Sequence, residues 1–417
     1  MVLAITTAGT LLISIIVFLL LTLLLVSVLL YARDKLSPKG DVTLKINDRE
    51  MVVSPGSSLL NTLTNNQIFL PSACGGGGTC GMCKCQVLEG GGSILPTETG
   101  FFTRKEQLNN WRLGCQVKVR ENMTIKLPES VLGIKKWECE VVSNRNVATF
   151  IKEFVVKLPD GAELNFDPGG YIQIDVPKYQ TSFSDFIIED EFRGDWDCYK
   201  MWDLSINNTT ETYRAYSMAN FPAEKNLIKL NIRIATPPWD KARNQFMNVP
   251  PGICSSFIFS RKPGDKVMIS GPYGEFHIKD TDNEMIYIGG GAGMAPLRSH
   301  IFHLFHTLKT NRKVSYWYGA RSMREVFYED EFRAIEKEFP NFTFNLALSE
   351  PLPSDNWTGY KGFIHQVLLD NYLSKLDEPE DIEYYFCGPP VMNNAVVGML
   401  DSLGVPQENI AFDDFGV

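Results

Sequence analysis

The chain has 417 residues, 44% of them hydrophobic, and a formal net charge of −9. That length implies about two to four domains, each able to build a core, and the acidic balance argues against a nucleic-acid partner, which would need a basic face. Nine cysteines, four belonging to one motif and five scattered, fit cofactor ligation in a reducing compartment better than a disulfide framework.

Val2 to Tyr31 carries no charged side chain. As a helix rising about 1.5 Å per residue it is longer than a hydrocarbon core of roughly 30 Å, so a single transmembrane anchor is predicted over 1–32. A signal peptide would start with a basic region and have a shorter apolar run. Arg33, Lys35 and Lys39 follow, and the positive-inside rule places what comes after them in the cytoplasm. The span has no ionisable group and is poorly suited to moving ions by itself.

Next comes a block at 33–130. Val42, Leu44 and Ile46 alternate before Asn47-Asp48, and Met51 to Val53 follow, which reads as a hairpin. Gly56-Ser57-Ser58 then precedes Leu59, Leu60 and Leu63, which reads as an N-cap followed by a short amphipathic helix. Cys74, Cys80, Cys83 and Cys115 are spaced C-x5-C-x2-C-x31-C, with four consecutive glycines after the first. Four thiolates at such spacing can wrap a [2Fe-2S] cluster. Glycines allow positive φ and bring N–H groups toward anionic sulfur. A structural zinc site also takes four thiolates, but rarely needs such a glycine run. Cys85 reads as a bystander.

The block at 131–280 is rich in β-type segments separated by Pro and Gly, which predicts an antiparallel β-barrel. An insert from about 178 to 213 carries Phe183, Phe186, Phe192, Trp196 and Trp202 among acids. It reads equally as a docking face or as a loop packed on its own barrel. From 281 to 417 strand-like and helix-like runs alternate, which predicts an α/β doubly wound domain. The predicted class is thus α+β multidomain.

Several motifs carry a resemblance. Arg214-Ala215-Tyr216-Ser217, Gly252-Ile253-Cys254-Ser255 and Gly271-Pro272-Tyr273-Gly274 occur in the order found in the ferredoxin-NADP reductase superfamily. Arginine offers a planar fork to pyrophosphate and tyrosine an aromatic face to a flavin ring. The resemblance assigns Arg214, Tyr216, Ser217, Gly252 and Ser255 to FAD, with Phe415 covering the flavin. Gly289, Gly290, Gly291, Gly293 and Pro296 follow an apolar strand as G-x-G-x-x-P, a turn that suits a pyrophosphate at a helix N-terminus. The same superfamily puts a Cys-Gly pair, here Cys387 and Gly388, beside the nicotinamide, and makes Cys387 and Ser217 the catalytic candidates. Arg321, after the second strand of this domain, suits a 2′-phosphate as well as a ribose, so NADH is chosen on resemblance.

The 33–130 block resembles an adrenodoxin-type β-grasp ferredoxin. The order anchor, ferredoxin, FAD barrel, NAD domain, with the strings RAYSMAN, GPYGEF, GGGAGMAPLRSH, YWYGARS, DNWTGY and YFCGPP, resembles the F subunits of the Na+-translocating NADH:quinone reductase over essentially the whole chain. That resemblance implies hydride passing from NADH to FAD and single electrons to the cluster. It also implies integral membrane subunits as partners, a quinone as final acceptor and a bacterial inner membrane. The rivals are a reductase that feeds an oxygenase, and a membrane-tethered ferredoxin with an inactive reductase half. His300, His303 and His306, spaced by three, read as a solvated helix face.

Overall fold

The computed structural model describes residues 2–36, 40–240 and 242–414. The side chains of Arg33 and Lys35, and the residues Lys39 and Phe415, lie outside the described set.

The first helix, α1 (Val2–Leu36), holds the apolar stretch Gly9–Ala32 with mean hydropathy 3.2, none of it buried by the rest of the chain. Its length and composition suit a membrane crossing. The Ser14 and Thr22 hydroxyls donate to the Thr10 and Phe18 carbonyls at 2.8 and 2.7 Å, which satisfies them without water.

The chain forms two compact units, residues 1–70 with 81–132, and residues 71–80 with 133–417. In the first, β1 (Val42–Ile46) and β2 (Arg49–Val53) make the predicted hairpin. Asn47 in its turn has a φ of +52°, which asparagine tolerates. Strands β3 (Lys84–Glu89), β4 (Trp111–Leu113) and β5 (Met123–Lys126) complete a five-stranded sheet in the order β2-β1-β5-β3-β4, with β5 parallel to β1. Helix α2 (Leu59–Asn65) starts where Ser58 Oγ accepts from the Asn61 N–H at 3.2 Å, and it buries Leu59, Leu60 and Leu63. A buried ion pair holds the 91–98 loop to β4. Arg112 donates to both Glu98 oxygens, at 2.7 to 3.1 Å, and to the Gly91 and Gly92 carbonyls.

In the second unit, β6 (Lys135–Ala148), β7 (Ile151–Lys157) and β8 (Tyr171–Val176) precede a two-stranded ribbon of β9 (Tyr179–Ser182) and β10 (Ser205–Asn208). Then come β11 (Thr212–Ser217), β12 (Leu227–Arg233), the short pair β13 (Trp239–Asp240) and β14 (Gln245–Phe246), and β15 (Lys266–Tyr273). Six of these form an antiparallel sheet in the order β11-β8-β15-β6-β7-β12. A bridge from Met218, just past β11, to Leu230 within β12 links its outermost strands, so the sheet curls on itself. The aromatics of the 178–213 insert pack on its own sheet. Phe183, Phe186, Phe192 and Trp196 are buried in the same core as Ile172, Ile174 and Leu230, and α3 (Asp190–Cys198) carries two of them.

The last part is a fully parallel sheet of β16 (Met285–Gly290), β17 (Val314–Ala320), β18 (Phe342–Leu348), β19 (Tyr360–Lys361), β20 (Glu383–Cys387) and β21 (Ile410–Asp413). Its order is β19-β18-β17-β16-β20-β21. The chain starts in the middle at β16 and moves first one way and then the other, so β16 and β20 flank the switch point where ligands collect in such sheets. The histidine expectation fails at its first member. His300 is fully buried among Phe276, Tyr287 and Tyr385, with Nε2 2.9 Å from the Phe276 carbonyl oxygen, and only His306 is exposed. A three-residue step does not hold one face of a helix that turns every 3.6 residues.

Candidate functional site

The cysteine loop combines glycine turns with thiols. Gly75, Gly76, Gly78 and Gly81 all have positive φ, from 67° to 87°. Cys80 Sγ lies 3.3 Å from Cys74 Sγ. That contact, together with backbone N–H groups of Gly78, Thr79 and Cys80, holds the Cys74 thiol down at about 3. Cys83 pairs with Cys115, and this contact, reinforced by burial, pushes the Cys83 thiol up. None of the nine cysteines forms a disulfide. Among the described residues no three His, Cys, Asp or Glu side chains gather as a metal site. The donor chemistry fits an iron-sulfur group, with N–H groups already aimed at sulfur.

On β11, Arg214 and Tyr216 alternate onto one face, with Ser217 on the other near the strand end. Arg214 donates to the Tyr213 carbonyl at 2.8 Å and to Thr212 Oγ1 at 3.2 Å, and its charge favours the thiolate of Cys254. Cys254 lies in the first turn of α4 (Ile253–Phe259), and burial pushes its thiol up to about 12. Burial also drives the Tyr216 phenol well above its ordinary range. Ser255 stands in the first turn of the same helix. Its hydroxyl donates to the Gly252 carbonyl at 3.2 Å and accepts from the Ala235 N–H at 3.1 Å, so the side chain braces the turn.

The glycine turn connects β16 to α5 (Met294–Phe302). Gly291 has a φ of +57°. A Cβ on Gly293 would lie 2.0 Å from the Cys387 carbonyl oxygen, so only glycine lets the turn seat against the end of β20. Pro296 sits in the first turn of α5, where its missing N–H costs nothing. Gly388, just past β20, packs against Met392 at the start of α6 (Pro390–Ser402).

Cys387 is in register with Gly289 on one side and Asp413 on the other. It is fully buried, and burial, aided by the charges of Asp413 and Asp414, keeps its thiol protonated. The Ser217 hydroxyl donates to Asp413 Oδ2 at 2.7 Å. Burial pushes the Asp413 carboxyl up to about 6, against the opposing pull of the Ser217 bond. One hydrogen bond therefore joins the flavin-motif strand to the strand beside the nicotinamide-motif cysteine.

The sequence of the chain matches three domain families: a 2Fe-2S iron-sulfur cluster binding domain over 42–120, an oxidoreductase FAD-binding domain over 199–278 and an oxidoreductase NAD-binding domain over 287–398. It is 55% identical over 393 residues to the F subunit of the Na(+)-translocating NADH-quinone reductase of Pseudomonas aeruginosa, covering 94% of this chain and 95% of that one. The F subunit of the Klebsiella pneumoniae enzyme is 54% identical over 406 residues, covering 97% and 98%. The chain belongs to this family of F subunits.

It is an NADH-oxidising, electron-input oxidoreductase with 2Fe-2S, FAD-binding and NAD-binding domains, and its relatives are subunits of a larger enzyme. Among solved structures, the Amycolatopsis cytochrome P450 reductase GcoB is similar in fold, with a TM-score of 0.63 at 22% identity, covering 90% of this chain and 98% of that one. Two groups in this F-family chain were not singled out from its sequence. Asp413 stood beside the expected tail aromatic, and its neighbourhood to Ser217 arises only from folding. Arg298, buried on α5, donates to the Ala219 carbonyl at 2.7 Å and pairs with Glu224 and Glu331. Its position in the motif following the glycine turn was the available signal.

Proposed function

We propose that the chain stands at the cytoplasmic face of a bacterial inner membrane, tethered by α1, and feeds integral membrane subunits that pass electrons to a quinone. Cys74, Cys80, Cys83 and Cys115 would hold the [2Fe-2S] cluster. Arg214, Tyr216 and Ser217, with the Gly252–Ser255 turn, would hold FAD; Gly289 to Gly293, Pro296, Cys387 and Gly388 would hold NADH. When bound, FAD accepts hydride from NADH and the cluster carries single electrons onward. The division into 33–130, 131–280 and 281–417 follows these three tasks.

The observation that carries this reading is the hydrogen bond from Ser217 to Asp413, whose strand neighbour is Cys387. It puts the flavin motif and the nicotinamide motif at one place. There the residues have distinct tasks. Ser217 is held as a donor. Asp413, at about 6, can keep or release a proton near neutral pH. Cys387, as a neutral buried thiol, shapes and dries the site rather than attacking substrate. Arg33, Lys35 and Lys39 after the anchor support the orientation, and NADH rests on the family resemblance, since Arg321 suits a 2′-phosphate as well. The anchor contains no charged residue between Val2 and Tyr31, so sodium would cross through partner subunits.

The test uses membranes carrying the chain with its complex. NADH:quinone activity should rise on adding sodium, and a chain lacking 2–32 should leave the membrane fraction. Activity that ignores sodium and requires an added oxygenase would refute the reading.

A further inference from the structure

In a doubly wound nucleotide domain the tip of the second strand faces the adenosine ribose. An acid there accepts from the 2′-hydroxyl, whereas a cation there favours a 2′-phosphate. Here that strand is β17, paired in register with β16 up to Gly290 opposite Gly319. It ends at Ala320 and is followed by Arg321, with no acid adjacent.

The fold brings an acid back. Met323–Glu325 is a short helical turn, closed by the Glu325 N–H donating to the Ser322 carbonyl at 3.0 Å. Glu325 then pairs with Arg321 at 3.4 Å; the glutamate side chain is 14% exposed and the arginine 49%. The turn is fastened from both sides. Arg324 pairs with Asp195 at 2.7 Å, and the Met323 N–H donates to Asp355 Oδ2 at 3.2 Å. The Tyr318 hydroxyl lies 3.4 Å from the carbonyl oxygens of both Gly291 and Glu325, so one phenol ties the glycine turn to the backbone of this acid. A second guanidinium, Arg233 at the end of β12, is within electrostatic reach of the same carboxylate and of Arg321. One acid thus stands with two arginines beside the coenzyme turn. With the acid present, the two cations are partly neutralised. Without it, they present the charge a phosphate dianion needs.

We propose that Glu325 selects the coenzyme: its carboxylate accepts from the adenosine ribose 2′-hydroxyl of NADH and, by engaging Arg321, withholds that guanidinium from the 2′-phosphate of NADPH. The inference rests on the coenzyme site proposed above at the glycine turn. A hydrogen bond to a charged group corresponds to roughly a ten- to hundredfold change in binding.

The experiment measures flavin reduction by NADH and by NADPH in the full-length, detergent-solubilised holoprotein. In Glu325→Gln, kcat/KM for NADH should fall about tenfold, chiefly through KM, while that for NADPH rises about tenfold. Flavin and iron content should match the parent, and Glu325→Asp should keep the preference for NADH. In the double variant Glu325→Gln/Arg321→Ala the gain with NADPH should disappear. An unchanged NADH-to-NADPH ratio in Glu325→Gln, an equal loss with both coenzymes, or an NADPH gain that survives removal of Arg321 would overturn the proposal. A parent chain whose flavin neither coenzyme bleaches would overturn the underlying site as well, which separates the two failures.

Discussion

Asp413 combines burial, a carboxyl pushed up to about 6 from its ordinary 3.8, and a hydrogen bond from Ser217. Burial disfavours its charged form. The folded chain therefore binds this proton more tightly than the unfolded chain does. Stability contributed by the protonated carboxyl is complete below about pH 4 and is lost as pH rises through about 6, up to ~3 kcal/mol. Asp413→Asn keeps a neutral side chain of the same shape. Its thermal midpoint, compared with the parent's, should therefore be relatively higher at pH 7 than at pH 4.5. Parallel midpoints across that interval would rule out the burial argument. None of this was visible in the residues of the tail. The paired acids Asp413-Asp414 look like an exposed terminus until β21 joins β20 and carries the first one beside Cys387. By contrast, the glycine turns around Cys74 and at Gly291 were readable directly, because each belongs to a short motif whose spacing reflects local backbone geometry.

At the scale of elements, the 178–213 insert shows where pattern alone divides evenly. Aromatics mixed with acids suit either a docking face or a covered core. The structure decides for the core. Trp196 is fully buried, its indole N–H donates to the Thr149 carbonyl at 2.8 Å, and its ring lies against Phe183, Phe186, Trp202 and Phe259. Truncation of a buried tryptophan leaves a cavity and an orphaned carbonyl. Trp196→Ala should lower unfolding stability by about 3–5 kcal/mol, read from the denaturant midpoint of the flavin-containing unit. A shift within about 0.5 kcal/mol, as expected at an exposed site, would restore the docking reading. Regular strands and helices behaved differently. Phe342–Leu348, Glu383–Cys387 and Glu329–Glu338 form with the same limits that their hydrophobic periodicity suggests. The ribbon of β9 and β10 was missed because its residues, such as Tyr179-Gln180-Thr181-Ser182 and Ser205-Ile206-Asn207-Asn208, are too short and polar to alternate clearly.

For the whole molecule, the two compact units divide the motifs between them. Cys83 belongs to the first unit, while the flavin and nicotinamide motifs belong to the second. Cys83→Ser should therefore lose iron and onward quinone reduction, yet retain flavin and its bleaching by NADH. Iron retained at parent content would show that the ligand set is wrong. Cys74 and Cys80 complicate a simple division, since residues 71–80 group with the second unit although they lie between the two segments of the first in sequence. The sequence by itself determined the long apolar helix, the order of the three cofactor-binding parts and the motifs within each. These depend on composition and on spacing along a few consecutive residues, where local backbone chemistry dominates. Only the tertiary structure decided that His300 is core, that the insert covers the barrel, that Asp413 meets Ser217 and that Glu325 returns to Arg321. Each of those depends on burial or on a contact made by folding, and neither is encoded in the spacing of a single motif.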